Sequence, residues 1–142
     1  MIETTTWHSL LNLAIRRRHD GDLAGTIASL QNAIGMTRDV PELNRETSTM
    51  LNYLADVFLS EGSLEQAETT IRQALERTAT EPLFFADNLL ILAKILHKLG
   101  REQEMIESAH EGLCLVRREY GREHGYTARV ELMVQQLTSE RK

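Results

Sequence analysis

The stretch Leu51-Asn52-Tyr53-Leu54-Ala55-Asp56-Val57-Phe58-Leu59-Ser60-Glu61-Gly62-Ser63-Leu64-Glu65-Gln66-Ala67-Glu68-Thr69-Thr70-Ile71-Arg72-Gln73-Ala74-Leu75 decides the fold. Its apolar residues recur at intervals of three and four on either side of Gly62, the spacing that gives two helices one apolar face each. A glycine between them suits the left-handed residue that ends a helix, so the segment reads as an antiparallel helix hairpin. Outward from it the pattern repeats. Leu51-x-x-Leu54-Ala55 has counterparts in Leu10-x-x-Leu13-Ala14 and Leu89-x-x-Leu92-Ala93, and Gly62 has counterparts in Gly21 and Gly100 at separations of 41 and 38 residues. The second helices align in register: Leu23, Ile27, Leu30, Ala33 and Ile34; Leu64, Ala67, Ile71, Ala74 and Leu75; Met105, Ile106, Ala109, Gly112 and Leu113. Three stacked hairpins follow, each burying its stripe against the next.

Boundary chemistry agrees with these units. Asp22 is placed to accept from the free amides of the helix it precedes, and Ser63-x-x-Gln66 has the spacing of a capping box. Pro41 and Pro82 suit the first turns of the helices that open units two and three, where the missing N–H has no partner to lose. After Tyr120-Gly121, Val130, Met133, Val134 and Leu137 form a single stripe on a last helix. Its other side carries Arg129, Glu131, Gln135 and Gln136, as a solubilising cap requires. The expected architecture is all-α, a right-handed α-solenoid of three hairpins and a capping helix, about seven helices. It forms one domain over 1–142, with repeats near 7–38, 40–79 and 82–119 and a cap near 124–139.

These residues resemble the tetratricopeptide repeat, and unit two carries the resemblance best through Leu51, Leu54-Ala55, Phe58, Gly62, Leu64, Ala67, Ile71 and Ala74-Leu75. Units one and three depart from the pattern, with Arg17 in the slot of Phe58, Thr26 and Met105 in that of Ala67, and Glu102 in that of Leu64. The period exceeds the usual length of about 34 residues and is similar to the long variant of kinesin light chains and bacterial signalling regulators. The link Tyr120-Gly121-Arg122-Glu123-His124 is similar to one in that variant too. The resemblance implies a protein-binding module whose first helices line a concave groove.

Helical spacing places Asn12, Ile15, Asn52, Tyr53, Asp56, Leu90, Ile91, Lys94 and His97 on that inner wall, where apolar anchors would give affinity and amides register. Asn12 and Asn52 are the candidates for bracketing a peptide backbone. The terminal-carboxylate clamp known in the family is missing, since Leu11, Ile15, Tyr53, Asp87 and Ile91 stand in its places.

Composition bounds the remaining readings. A net charge of -5 argues against nucleic acid, whose affinity rests on Lys and Arg. The run Arg16-Arg17-Arg18-His19 closes a helix, where exposed carbonyls favour cations. Leu89 to Ala93 is far too short a run to cross a membrane. The opening Met1-Ile2-Glu3-Thr4 has no export leader, and cytoplasmic residence is expected. Five histidines lack metal-ligand spacing, and no phosphate loop, nucleophile elbow or carboxylate pair marks an enzyme. Cys114 reads as a buried thiol among apolar neighbours. No cofactor or metal is expected. The function that follows is a non-catalytic adaptor binding a peptide or helix of another protein. Its alternative is a self-associating regulatory or sensing subunit of a larger bacterial assembly, with the edge at Trp7 available for homo-oligomer contact.

Overall fold

The computed structural model describes residues 6–139, so the opening tetrapeptide lies outside the described residues. These residues form seven α-helices and one 3-10 turn, with no strand among them. In chain order the helices are α1 (Trp7–His19), α2 (Leu23–Thr37), α3 (Asn44–Glu61), α4 (Leu64–Arg77), α5 (Pro82–Lys98), α6 (Glu102–Tyr120) and α7 (Gly125–Ser139). The tightest pairings are α1 with α2, α3 with α4, and α5 with α6. Each pair is joined to the next through α2 on α3 and α4 on α5, α7 packs on α6, and α3 also meets α5. The turns behave as helix-ending glycines should: Gly21, Gly62 and Gly100 have φ of +83°, +87° and +77°, a region closed to most side chains.

One apolar cluster runs from Ala14 of α1 to Leu137 of α7. Ala14, Ala33, Ala55, Ala67, Ala74, Ala86, Ala93 and Ala109 are all fully buried. Between them Leu30, Met50, Ile71, Ile95 and Met105 fill the interior, each contributing about 1.5–3 kcal/mol by leaving water. At the α5–α6 crossing Gly112 lets the helices approach further, because a Cβ there would stand 3.0 Å from Leu90 Cδ2.

The departures of units one and three from the repeat pattern have local compensations. Arg17, in the aromatic slot, keeps its stem in the hairpin and donates Nη1 to Gly25 O at 3.3 Å and Ser29 Oγ at 3.0 Å. Gly25 makes that possible, since its Cβ would fall 2.8 Å from Arg17 Cδ. Thr26 is fully buried and donates to Asp22 O at 2.8 Å, and Met105 is equally buried. Trp7 is half-buried against the core and stacks on His8 with ring centroids 3.7 Å apart.

Four expectations need correction. Asp22 caps α2, accepting from Gly25 N–H at 2.9 Å, but Ser63 makes no capping bond to α4. Its hydroxyl donates to Glu61 Oε1 at 2.7 Å, in a geometry in which the Oγ accepts no amide of α4. Pro82 does begin α5, whereas Pro41 begins the 3-10 turn Pro41–Leu43, and α3 starts only at Asn44. Leu43, at φ -106° and ψ 23°, interrupts the helical geometry between them. Cys114 is exposed: the buried face of α6 runs through Ser108, Ala109, Gly112, Leu113 and Val116, and at 100° per residue position 114 points away from it. The polar side of α7 is not purely solvated either, for Glu131 Oε2 lies 3.0 Å from Arg117 Nη2.

Candidate functional site

The first helices of units two and three and the last helix share an open cleft of about 520 Å³. From α3 come Ser48, Thr49 and Asn52; from α5, Phe84, Asp87, Asn88, Leu90, Ile91 and Lys94; from α7, Tyr126, Arg129, Val130 and Met133. α3 and α5 each turn one stripe toward their own hairpin and α7 turns one onto α6, and each helix lends a second flank to the cleft. Leu90 and Val130 are almost buried at 5% and 4% exposure and form the floor. Ile91 and Met133 are half-buried against the core and form apolar walls.

Beneath the α3 wall lies a polar network. Asn88, 2% exposed, accepts from Asn52 Nδ2 at 2.9 Å and donates Nδ2 to Ser48 Oγ at 3.2 Å and to Thr78 Oγ1 at 3.1 Å. Those two hydroxyls both reach Ala74 O, at 3.5 Å and 2.9 Å. Because both Asn88 amide hydrogens have hydroxyl acceptors, its oxygen must face α3, and this sets the orientation of the Asn52 amide. Among the described residues no hydrogen bond to Asn52 Oδ1 is made, and Asn52 lines the cleft.

The opposite wall is tied across the cleft. Tyr126 OH donates to Asp87 Oδ1, joining α7 to α5. Desolvation pushes the Asp87 carboxyl above its usual range while the Tyr126 hydroxyl holds it down, and burial followed by the hydrogen bond to Asp87 pushes the phenol up. The ring of Tyr126 also stands 5.5 Å from Tyr120, edge to face, and 5.7 Å under the Arg129 guanidinium. His124 Nδ1 accepts the Tyr126 N–H at 3.1 Å, fixing the start of α7.

Of the residues expected on the inner wall, Asn52, Leu90, Ile91 and Lys94 are brought together in this cleft. Asn12 and Ile15 are exposed on α1, outside it. Tyr53 lies under the Arg18 guanidinium, 5.1 Å from ring centroid to Cζ. Asp56 Oδ2 receives Arg18 Nη2 at 2.9 Å, and Ser60 Oγ receives it at 3.2 Å. These contacts lift the Arg18 pKa further despite partial desolvation. His97 sits at the far end of α5, its Nδ1 3.5 Å from Glu102 Oε1 in the first turn of α6. Sequence spacing missed Asn88, Tyr126, Arg129 and Met133. A polar residue one position from Asp87 was the available signal for Asn88, and an aromatic after the Tyr120-Gly121 break was the signal for Tyr126.

A second cavity of about 610 Å³ lies among α2, α3 and α4, with Ile34, Leu51, Leu54 and Phe58 beneath Gln31, Gln66, Thr69 and Gln73. Among the described residues no group of three His, Cys, Asp or Glu side chains could hold a metal ion, and no helix is long and apolar enough to cross a membrane. No protein-family model matches the sequence, and no curated protein matches it.

Proposed function

We propose that this chain is a protein-interaction module without catalytic machinery, a right-handed α-solenoid of tetratricopeptide type that captures a peptide segment of a partner in the α3–α5–α7 cleft. Hairpins that pack chiefly on their chain neighbours support the solenoid reading. The observation that carries the functional reading is the cleft itself: an apolar floor and walls, with the Asn52 amide held in one orientation by the buried Asn88. Apolar anchors supply affinity to a bound segment, and an oriented amide carbonyl offers an acceptor to its backbone N–H groups.

Thr49→Trp tests this reading, because Thr49 is exposed on the cleft wall and a large ring there obstructs the cleft without opening the core. Affinity capture with wild type and variant, followed by mass spectrometry, should show the principal partner lost from the variant with its far-ultraviolet circular dichroism unchanged. Undiminished capture places the binding surface elsewhere. The second reading, self-association as a regulatory subunit, is favoured by the exposed Ile15 on α1 and Leu132 on α7, at 48% and 55%. Light scattering across a dilution series decides it, since a constant monomer mass refutes it.

A further inference from the structure

We infer that the segment taken by the cleft carries acidic side chains flanked by apolar ones, with its carboxylates received by Lys94 and Arg129. This rests on the cleft being the binding site and adds the chemistry of its occupant. Several cations on other faces are paired, Arg18 with Asp56, Arg45 with Glu81, Arg101 with Glu68 and Glu104, and Arg117 with Glu131; what sets Lys94 and Arg129 apart is that they line one cleft together. Lys94 and Arg129 stand on facing helices of the cleft, and within the described residues neither makes an ion pair or a side-chain hydrogen bond. The Arg129 guanidinium lies over the face of the Tyr126 ring, a contact that leaves its forked N–H donors available. One carboxylate, Asp87, lines the same cleft, and the Tyr126 hydroxyl already occupies one of its oxygens. The cleft therefore holds two cations against one partnered carboxylate in a chain of net charge -5. Between these cations, Leu90, Ile91, Val130 and Met133 supply the apolar surface. Internal Asp or Glu side chains meet this arrangement, one toward each wall with an aliphatic or aromatic neighbour on the floor.

The test is selection from a random twelve-residue peptide library displayed with both ends tethered, on wild type and on the Lys94→Glu, Arg129→Glu double variant. Wild type should enrich Asp and Glu beside apolar residues, and the double variant should enrich Lys and Arg. A capped synthetic peptide from the wild-type pool should lose up to about fivefold in affinity for each of Lys94→Gln and Arg129→Gln, and bind more weakly as salt rises. Circular dichroism of the variants guards against misfolding. Apolar sequences enriched equally by both proteins, with binding abolished by Thr49→Trp, overturn the acidic preference and leave the cleft as the binding site. Peptides that bind only with a free C-terminus overturn it by assigning the cations to a terminal carboxylate. No enrichment on wild type overturns it as well, and the Thr49→Trp capture then decides the cleft separately.

Discussion

Replacing Asn88 by alanine removes a side chain that is 2% exposed and joins α3, α4 and α5 through Asn52, Ser48 and Thr78. Three hydrogen bonds at about 1 kcal/mol net each set a loss near 3 kcal/mol. The Ser48 and Thr78 hydroxyls still reach Ala74 O, and Asn52 faces the cleft and regains water, so no donor is left stranded. The lost amide also leaves a small void, and the two corrections oppose each other, which keeps the expected loss at about 2–3 kcal/mol. Urea denaturation followed by circular dichroism at neutral pH measures it. Asn88→Asp sharpens the test, because a carboxyl at this depth has its folded pKa raised by desolvation. A raised folded pKa means that the protonated form is the one the fold tolerates, so the deficit is small below the usual carboxylate range and grows as pH rises through the folded value. An alanine variant that loses under about 1 kcal/mol, or an aspartate variant whose deficit does not change with pH, would refute the buried hub and with it the fixed orientation of Asn52.

Asp22→Ala should destabilise the chain by about 1 kcal/mol through loss of the α2 cap, whereas Ser63→Ala, whose hydroxyl turns to Glu61, should cost under about 0.5 kcal/mol; equal losses in parallel urea titrations would contradict the cap assignment. Asp87→Asn keeps an acceptor for Tyr126 OH and removes a carboxyl whose desolvation raises its pKa. The wild-type carboxyl is best tolerated when protonated, so the variant should gain on wild type as pH rises from 3 to 7 (roughly spanning the carboxylate range), and a gap that narrows over that span would reverse the assignment.

The hairpins were legible because their signals are local. Leu-x-x-Leu-Ala followed by a glycine is a statement about one helix and its end, and the left-handed φ of Gly21, Gly62 and Gly100 needed no tertiary information. Ser63 failed the same kind of reading because its hydroxyl is turned to Glu61, which belongs to the preceding helix and is invisible to a forward capping pattern. Cys114 failed because apolar neighbours in sequence are not neighbours on a helix face, where two residues past Gly112 is more than half a turn.

The cleft was half legible for a different reason. Helical spacing marks which side of α3 or α5 faces away from its own hairpin, and so it found Asn52, Ile91 and Lys94. It carries no information on which distant helix closes that side. Arg18 reaches Asp56 across 38 residues and so engages one end of the expected wall, while Tyr126 reaches Asp87 across 39 and binds α7 to the other. A last helix therefore does two jobs at once: Val130, Val134 and Leu137 cover the end of the core, and Tyr126, Arg129 and Met133 on its adjoining flank complete the cleft. Its charge at Arg129 reads in sequence as a solubilising feature, yet Arg129 and Lys94 line the same cleft from α7 and α5, so the helix that covers this part of the core also sets the charge of the cleft.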